Sequence, residues 1–218
     1  MRRFLQTIFL VAIPVLLIVG AVRVVTFPWF PAWEYSRATF SPSQLPAGER
    51  SRLARECIVF LNVPHDIERL AGLRLPDGSA AFNERELHHM SDVKQVYDVL
   101  LAAALLALAL AISAGWALRR RGDHAAIWGA LSNGALVTLS ALSLLGVLML
   151  LSWNDFFVGL HQLFFPAGSW LFQYTDTLIR LFPMRFWQDA GLAVVAVLAV
   201  LAFALALVGR MIQRRMAE

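Results

Sequence analysis

Charge is scarce in this chain. Only 16% of its 218 residues are Asp, Glu, Lys or Arg, while 59% are apolar. Soluble domains run near 45–50% apolar and about 25% charged, so composition argues strongly against a soluble globular enzyme before any motif is read. Cysteine is nearly missing, with Cys57 alone. One thiol builds no disulfide scaffold and cannot run the dithiol exchange of a disulfide–quinone oxidoreductase. Glycine and proline number 13 and 9, which excludes collagen and, with the apolar excess, disorder. Strand alternation strong enough for a barrel is missing, as are internal repeats and low-complexity tracts. So are a His-Glu-x-x-His zinc helix and a Gly-x-Ser-x-Gly elbow. Ser169 stands outside any elbow and reads as a turn residue.

What is present is four long apolar runs. They cover residues 4–25, 96–118, 125–153 and 190–211. Each is long enough to cross a bilayer core, which takes about 20 helical residues. The chain therefore reads as an all-α polytopic membrane protein of one domain, residues 1–218. Histidines inside the second and third runs, which a b-type haem bundle needs, are lacking. The first run has a basic start and a passable cleavage site at Val19-Gly20-Ala21. Its apolar stretch exceeds the 7–15 residues of a signal peptide, so we read it as a retained span.

The net charge of +4 records orientation. Arg2 and Arg3 precede the first span, Arg119, Arg120 and Arg121 lie between the second and third, and Arg210, Arg214 and Arg215 follow the fourth. Only Asp123 and Glu218 oppose these eight arginines, and the rest of the chain carries 11 basic and 13 acidic residues. The positive-inside rule puts all three flanks in the cytoplasm, with both termini inside. A nucleic-acid patch is the poorer explanation, because the arginines abut apolar spans without interleaved aromatics.

Two extracytoplasmic segments follow, 26–95 and 154–188. The first opens with Phe27-Pro28-Trp29-Phe30-Pro31-Ala32-Trp33, suited to the headgroup level. Ser41-Pro42-Ser43 then precedes a helical pattern over Ala47–Val63, with Leu53, Cys57, Phe60 and Leu61 on one side. Residues 73–81 read as a turn with a short hairpin, and Phe82–Lys94 reads as a helix running into the second span. This segment is expected to form a small cap. The second segment carries Phe156, Phe157, Phe164, Phe165, Trp170, Phe172, Phe182, Phe186 and Trp187. Such aromatic density suits an interfacial or re-entrant loop and not a water-exposed one.

Candidate chemistry sits where these segments meet the membrane. His124 follows the cytoplasmic arginines and His65 reads as a loop residue. In His88-His89-Met90-Ser91-Asp92, Asp92 is four from His88 and three from His89, so helical spacing lets it orient either imidazole. A polar helix entry with two solvated histidines explains the pattern equally well. His161, set among aromatics, is costly if charged and needs a partner such as Asp155, Asp176 or a first-segment histidine. Asp176 and Arg180 are spaced as a helical ion pair, and Ser132, Ser140 and Ser143 share one side of the third span as interhelical glue.

His89-Met90-Ser91-Asp92-Val93 at the entry to the second span, His161-Gln162-Leu163-Phe164-Phe165-Pro166 followed by Trp170, and Asp176-Thr177-Leu178-Ile179-Arg180-Leu181-Phe182-Pro183 ending in Phe186-Trp187 resemble the bacterial lipoprotein intramolecular transacylase family. The resemblance implies transfer of the sn-2 acyl chain of an S-diacylglyceryl cysteine to that cysteine's own α-amino group. It implies His89, His161 and Asp92 as catalytic residues, and Phe164, Phe165, Trp170 and Asp176 as substrate-binding. The implied partners are diacylglyceryl-modified lipoproteins and membrane lipids, with no nucleic acid, cofactor or metal. The implied location is the bacterial cytoplasmic membrane, multi-pass, with the active site on the extracytoplasmic side. The alternatives are a non-catalytic lipid- or partner-binding module and a metal-dependent membrane hydrolase.

Overall fold

The computed structural model describes residues 1–37, 45–64 and 66–216. Ser41-Pro42-Ser43, His65 and Glu218 lie outside the described residues. In chain order the helices are α1 (Arg2–Val25), α2 (Trp29–Ser36), α3 (Ala47–Asn62), α4 (Glu68–Ala71), α5 (Glu84–Arg120), α6 (His124–Leu151), α7 (Trp153–Phe164), α8 (Thr177–Leu181) and α9 (Met184–Arg215). Among the described residues the only strand-like pairing is one antiparallel bridge, Arg74 to Ala80. The expected hairpin is thus reduced to a turn around Gly78, whose φ of 85° suits glycine.

Helices α1, α5, α6 and α9 are long and apolar enough to cross a membrane. A helix satisfies its own backbone polar groups, which lipid cannot do for it. The chain divides into two compact units. The first comprises Met1–Arg23, Val99–Leu151 and Ala193–Glu218, and the second Val24–Asp98 and Ser152–Leu192.

Small residues build the first unit. Ala107, Ala111 and Ala114 of α5 and Ala126 and Ala130 of α6 pack with Phe9 and Ile13 of α1. Such residues let helix backbones approach closely in lipid. Gly134 lets α1 come close, since an added Cβ would meet Ile13 Cβ at 2.7 Å and the Phe9 carbonyl at 2.8 Å. Ser132 is buried and donates to the Ala206 carbonyl of α9 at 3.0 Å. Ser143 instead donates to Leu139 in its own helix, and Ser140 is exposed, so interhelical glue describes Ser132 and not those two. The outer faces are greasy: Leu105, Ile112 and Leu150 are 68%, 63% and 83% exposed. This is the surface of a membrane protein, where lipid covers what water cannot.

The second unit is built on α3, with Leu53, Cys57 and Phe60 on its buried side as their spacing predicts. Helix α2 was not legible in the Pro-aromatic stretch, although Pro28 stands at its N-cap, where a missing N–H costs nothing. Arg37 joins α2 to the start of α9 by reaching Glu34 at 3.1 Å and Asp189 at 3.0 Å. Burial, reinforced by Asp189 alongside, raises the Glu34 carboxyl above its ordinary pKa. Tyr97 OH donates to Asn62 Oδ1 at 3.2 Å and lies 2.9 Å from the Thr26 hydroxyl. The aromatic segment after Leu151 is no plain loop. Ser152 ends α6 and caps α7 by accepting from the Asp155 amide at 3.3 Å.

Candidate active site

The site begins at the start of α5. Asn83 Oδ1 accepts from the Glu86 amide at 3.0 Å, and Glu86 Oε2 accepts from the Asn83 amide at 2.8 Å. This is a reciprocal capping box. The other Glu86 oxygen accepts from the Leu178 amide of α8 at 2.6 Å. One buried carboxylate therefore caps two helices. Asp176 works beside it, accepting from Asn83 Nδ2 at 3.0 Å, Arg85 Nη2 at 2.8 Å and the Gln173 amide at 2.8 Å. Asp176 is thus paired with Arg85 rather than in the expected side-chain ion pair with Arg180, whose buried Nε has no partner. The Asn83-x-x-Glu86 spacing is a capping signal that the sequence itself carries.

These contacts dock the chain between α7 and α9 onto α5, where Glu86, His89, Met90 and Tyr97 share a buried face. His89 is 9% exposed, whereas the side chain of His88 is 69% exposed. Helical direction decides between these neighbours, which spacing alone left open. Asp92 Oδ2 lies 3.7 Å from His88 Nε2, too far for a hydrogen bond. That oxygen is buried without a hydrogen-bond partner, and so is His89 Nδ1.

His161, on α7, stacks on His89 with ring centroids 6.3 Å apart and planes 20° apart. Its partner is neither Asp155 nor Asp176. The contact is to the Phe157 carbonyl, one turn back, at 2.7 Å. A carbonyl only accepts, so Nδ1 must carry the proton and the neutral ring keeps its lone pair on Nε2. Burial lowers the His161 pKa, opposed in part by the Phe157 bond.

Aromatic rings enclose the pair. Phe165 and Phe172 stand edge-on to His89 at 5.0 and 5.3 Å, while Phe157 and Trp170 lie 4.1 and 4.9 Å from His161. Phe164 is 44% exposed and packs on Phe165 instead. Phe157 and Phe172 are the members that sequence reasoning left in the general aromatic belt.

Both histidines, Trp170 and Phe172 line a cavity of about 450 Å³ that reaches back to Phe30 and Cys57. Among its lining residues, Phe30 and Cys57 are each 1% exposed, while Leu171 is 58% and Tyr174 91% exposed. The lining is mostly apolar and mixes fully buried with solvent-accessible side chains. An apolar chamber with a few convergent polar atoms is the usual form of a small-molecule site. A neutral imidazole there can take a proton from a substrate nitrogen or oxygen. Among the described residues no cluster of three His, Cys, Asp or Glu side chains is placed to hold a metal ion.

Residues 7–187 match the family described as "Lipoprotein intramolecular transacylase Lit". A protein of Aquifex aeolicus (strain VF5), described only as uncharacterized, is 32% identical over 203 residues, covering 92% of this chain and 90% of that protein. Among solved structures, the membrane integral lipoprotein intramolecular transacylase Lit from Bacillus cereus is similar with TM-score 0.78 at 17% identity, over 99% of this chain and 98% of that one. A variant of that protein carrying a histidine-to-alanine mutation matches with TM-score 0.74 at 16% identity, over 100% and 96% of the two chains. At such identity the structural likeness is one of fold.

Proposed function

The chain belongs to the lipoprotein intramolecular transacylase family, and from that premise we propose that it moves the sn-2 acyl chain of an S-diacylglyceryl cysteine to the α-amino group of the same cysteine. The product is an N-acyl, S-monoacylglyceryl lipoprotein. The observation that carries the reading is the stacked pair His89 and His161, 6.3 Å apart, on the wall of one apolar cavity.

The chemistry needs a neutral amine, and an α-amino group with a pKa near 8 is partly neutral at physiological pH. The amine nitrogen attacks the sn-2 ester carbonyl and a C–N bond forms. The nitrogen loses a proton, the bond from the carbonyl carbon to the sn-2 oxygen breaks, and that oxygen gains a proton. His161 Nε2 is the acceptor that its tautomer leaves open, and His89 shares the transfer toward the glyceryl oxygen. Trp170, Phe165 and Phe172 hold acyl chain and exclude water, which disfavours hydrolysis. Donor and acceptor lie on one molecule, so proximity supplies much of the rate. The arginine flanks support an extracytoplasmic site in the bacterial cytoplasmic membrane.

The test is expression in cells lacking other lipoprotein N-acylation, with mass spectra of lipoprotein N-terminal peptides. The expected result is N-acyl peptide with one glyceryl acyl chain lost. His89→Ala and His161→Ala should each abolish conversion while the protein still accumulates in membranes. Acyl chains that stay on the glyceryl oxygen in the unmodified protein would refute the assignment.

A further inference from the structure

Trp170 holds a donor with nothing to donate to. Its Nε1 is buried and has no hydrogen-bond partner. An indole N–H can only donate, and buried donors in native proteins are almost always paired. Two other indoles of the same unit do have partners: Trp29 donates to the Val24 carbonyl at 2.7 Å and Trp153 to Met184 sulfur at 3.0 Å. The backbone that carries Trp170 is fixed in a turn. A turn runs from Pro166 to Leu171, with Ser169 Oγ donating to the Pro166 carbonyl at 3.0 Å and the Leu171 amide to Gly168 at 3.3 Å. Gly168 sits at φ 84°, a conformation other residues rarely adopt. The ring so placed lines the cavity, 4.9 Å from His161.

Attack on an ester places negative charge on the carbonyl oxygen, and stabilising that charge with positioned donors is usually the largest single contribution to catalysis. His161 cannot supply it from Nδ1, which is spent on Phe157. We propose that Trp170 Nε1–H is the oxyanion donor of this site. The proposal rests on the transacylase reading above. As the amine nitrogen bonds to the carbonyl carbon, the carbonyl π pair moves onto oxygen and the indole N–H hydrogen-bonds to it. The pair returns as the sn-2 C–O bond breaks, and the indole keeps its proton throughout. Trp170 is then a catalytic residue and not only a wall for acyl chain.

Two measurements test this on the full chain in lipid nanodiscs, with a synthetic diacylglyceryl-cysteine peptide as substrate. In the first, Trp170 is replaced by benzothienylalanine, which keeps the shape and puts sulfur in place of N–H, and by phenylalanine. We expect kcat to fall about 100-fold in both, with KM and the thermal midpoint of the sulfur analogue unchanged. Wild-type kcat in the sulfur analogue overturns the proposal. The second leaves the protein unaltered and follows the nitrogen-15 indole resonance of Trp170 on adding a phosphonate analogue of the sn-2 ester. A downfield N–H shift is expected, and an unmoved resonance with the analogue bound overturns the proposal. If unaltered protein fails to convert the peptide, the transacylase reading itself falls. If it converts the peptide and the resonance stays put, only the role of Trp170 falls.

Discussion

His161 donates Nδ1–H to the carbonyl one turn behind it on α7, and the ring is closed in by Phe157 and Trp170. Burial, the larger influence, disfavours the charged ring and lowers its pKa, while the Phe157 bond pulls the other way. A base with a lowered pKa stays deprotonated to lower pH, so His161 is neutral throughout the range in which the substrate amine loses its proton. The expected outcome is an NMR titration midpoint for the His161 ring below the ordinary value of about 6.5. The acid limb of the pH–rate profile should follow that midpoint, with a separate rise near pH 8 from the amine. A ring that titrates at or above 6.5 would count against this account. The doublet His88-His89 makes the same point about environment. Two identical side chains one residue apart differ in burial because α5 points one outward and one into the cavity.

Between helices, the weight falls on Glu86. Its two oxygens cap α5 through Asn83 and α8 through Leu178. An N-cap bond is worth about 1 kcal/mol, and a buried amide left without an acceptor costs a similar amount again. Glu86→Ala should therefore lower stability by about 2 kcal/mol, measured by denaturant unfolding in detergent micelles. It should also lower transacylation, since the segment that carries Trp170 and Phe172 is anchored through this carboxylate and Asp176. A variant as stable as the parent would mean that the caps carry no weight. The capping box itself was legible in Asn83-x-x-Glu86, and α3 was legible from its apolar spacing. Helix α7 was harder to read, because aromatic side chains cover both its cavity side and its exposed side, and Phe164 and Leu163 are 44% and 74% exposed.

For the whole molecule, four apolar helices and eight flanking arginines predict a topology that chemical labelling can read. Cys57 is 1% exposed, so it stays silent to a maleimide reagent. Tyr174→Cys, at a position 91% exposed, should be labelled in intact cells by a reagent that does not cross membranes. His124→Cys, next to the arginine flank, should be labelled only after permeabilisation. The reverse pattern would invert the orientation and remove the site from the outer side. The sequence by itself determined the spans and the predicted orientation, because crossing a bilayer is a test of local length, hydropathy and flanking charge. It also determined the two candidate segments, through residue types clustered along the chain. Only the tertiary structure decided that His89 and not His88 faces His161, that His161 leans on a carbonyl, that Asp176 takes Arg85, and that the Trp170 indole is left unpaired. Those outcomes turn on side-chain direction and on contacts such as Arg85 to Asp176 and Leu178 to Glu86, 91 and 92 residues apart. No local pattern records which polar atom a distant segment will meet.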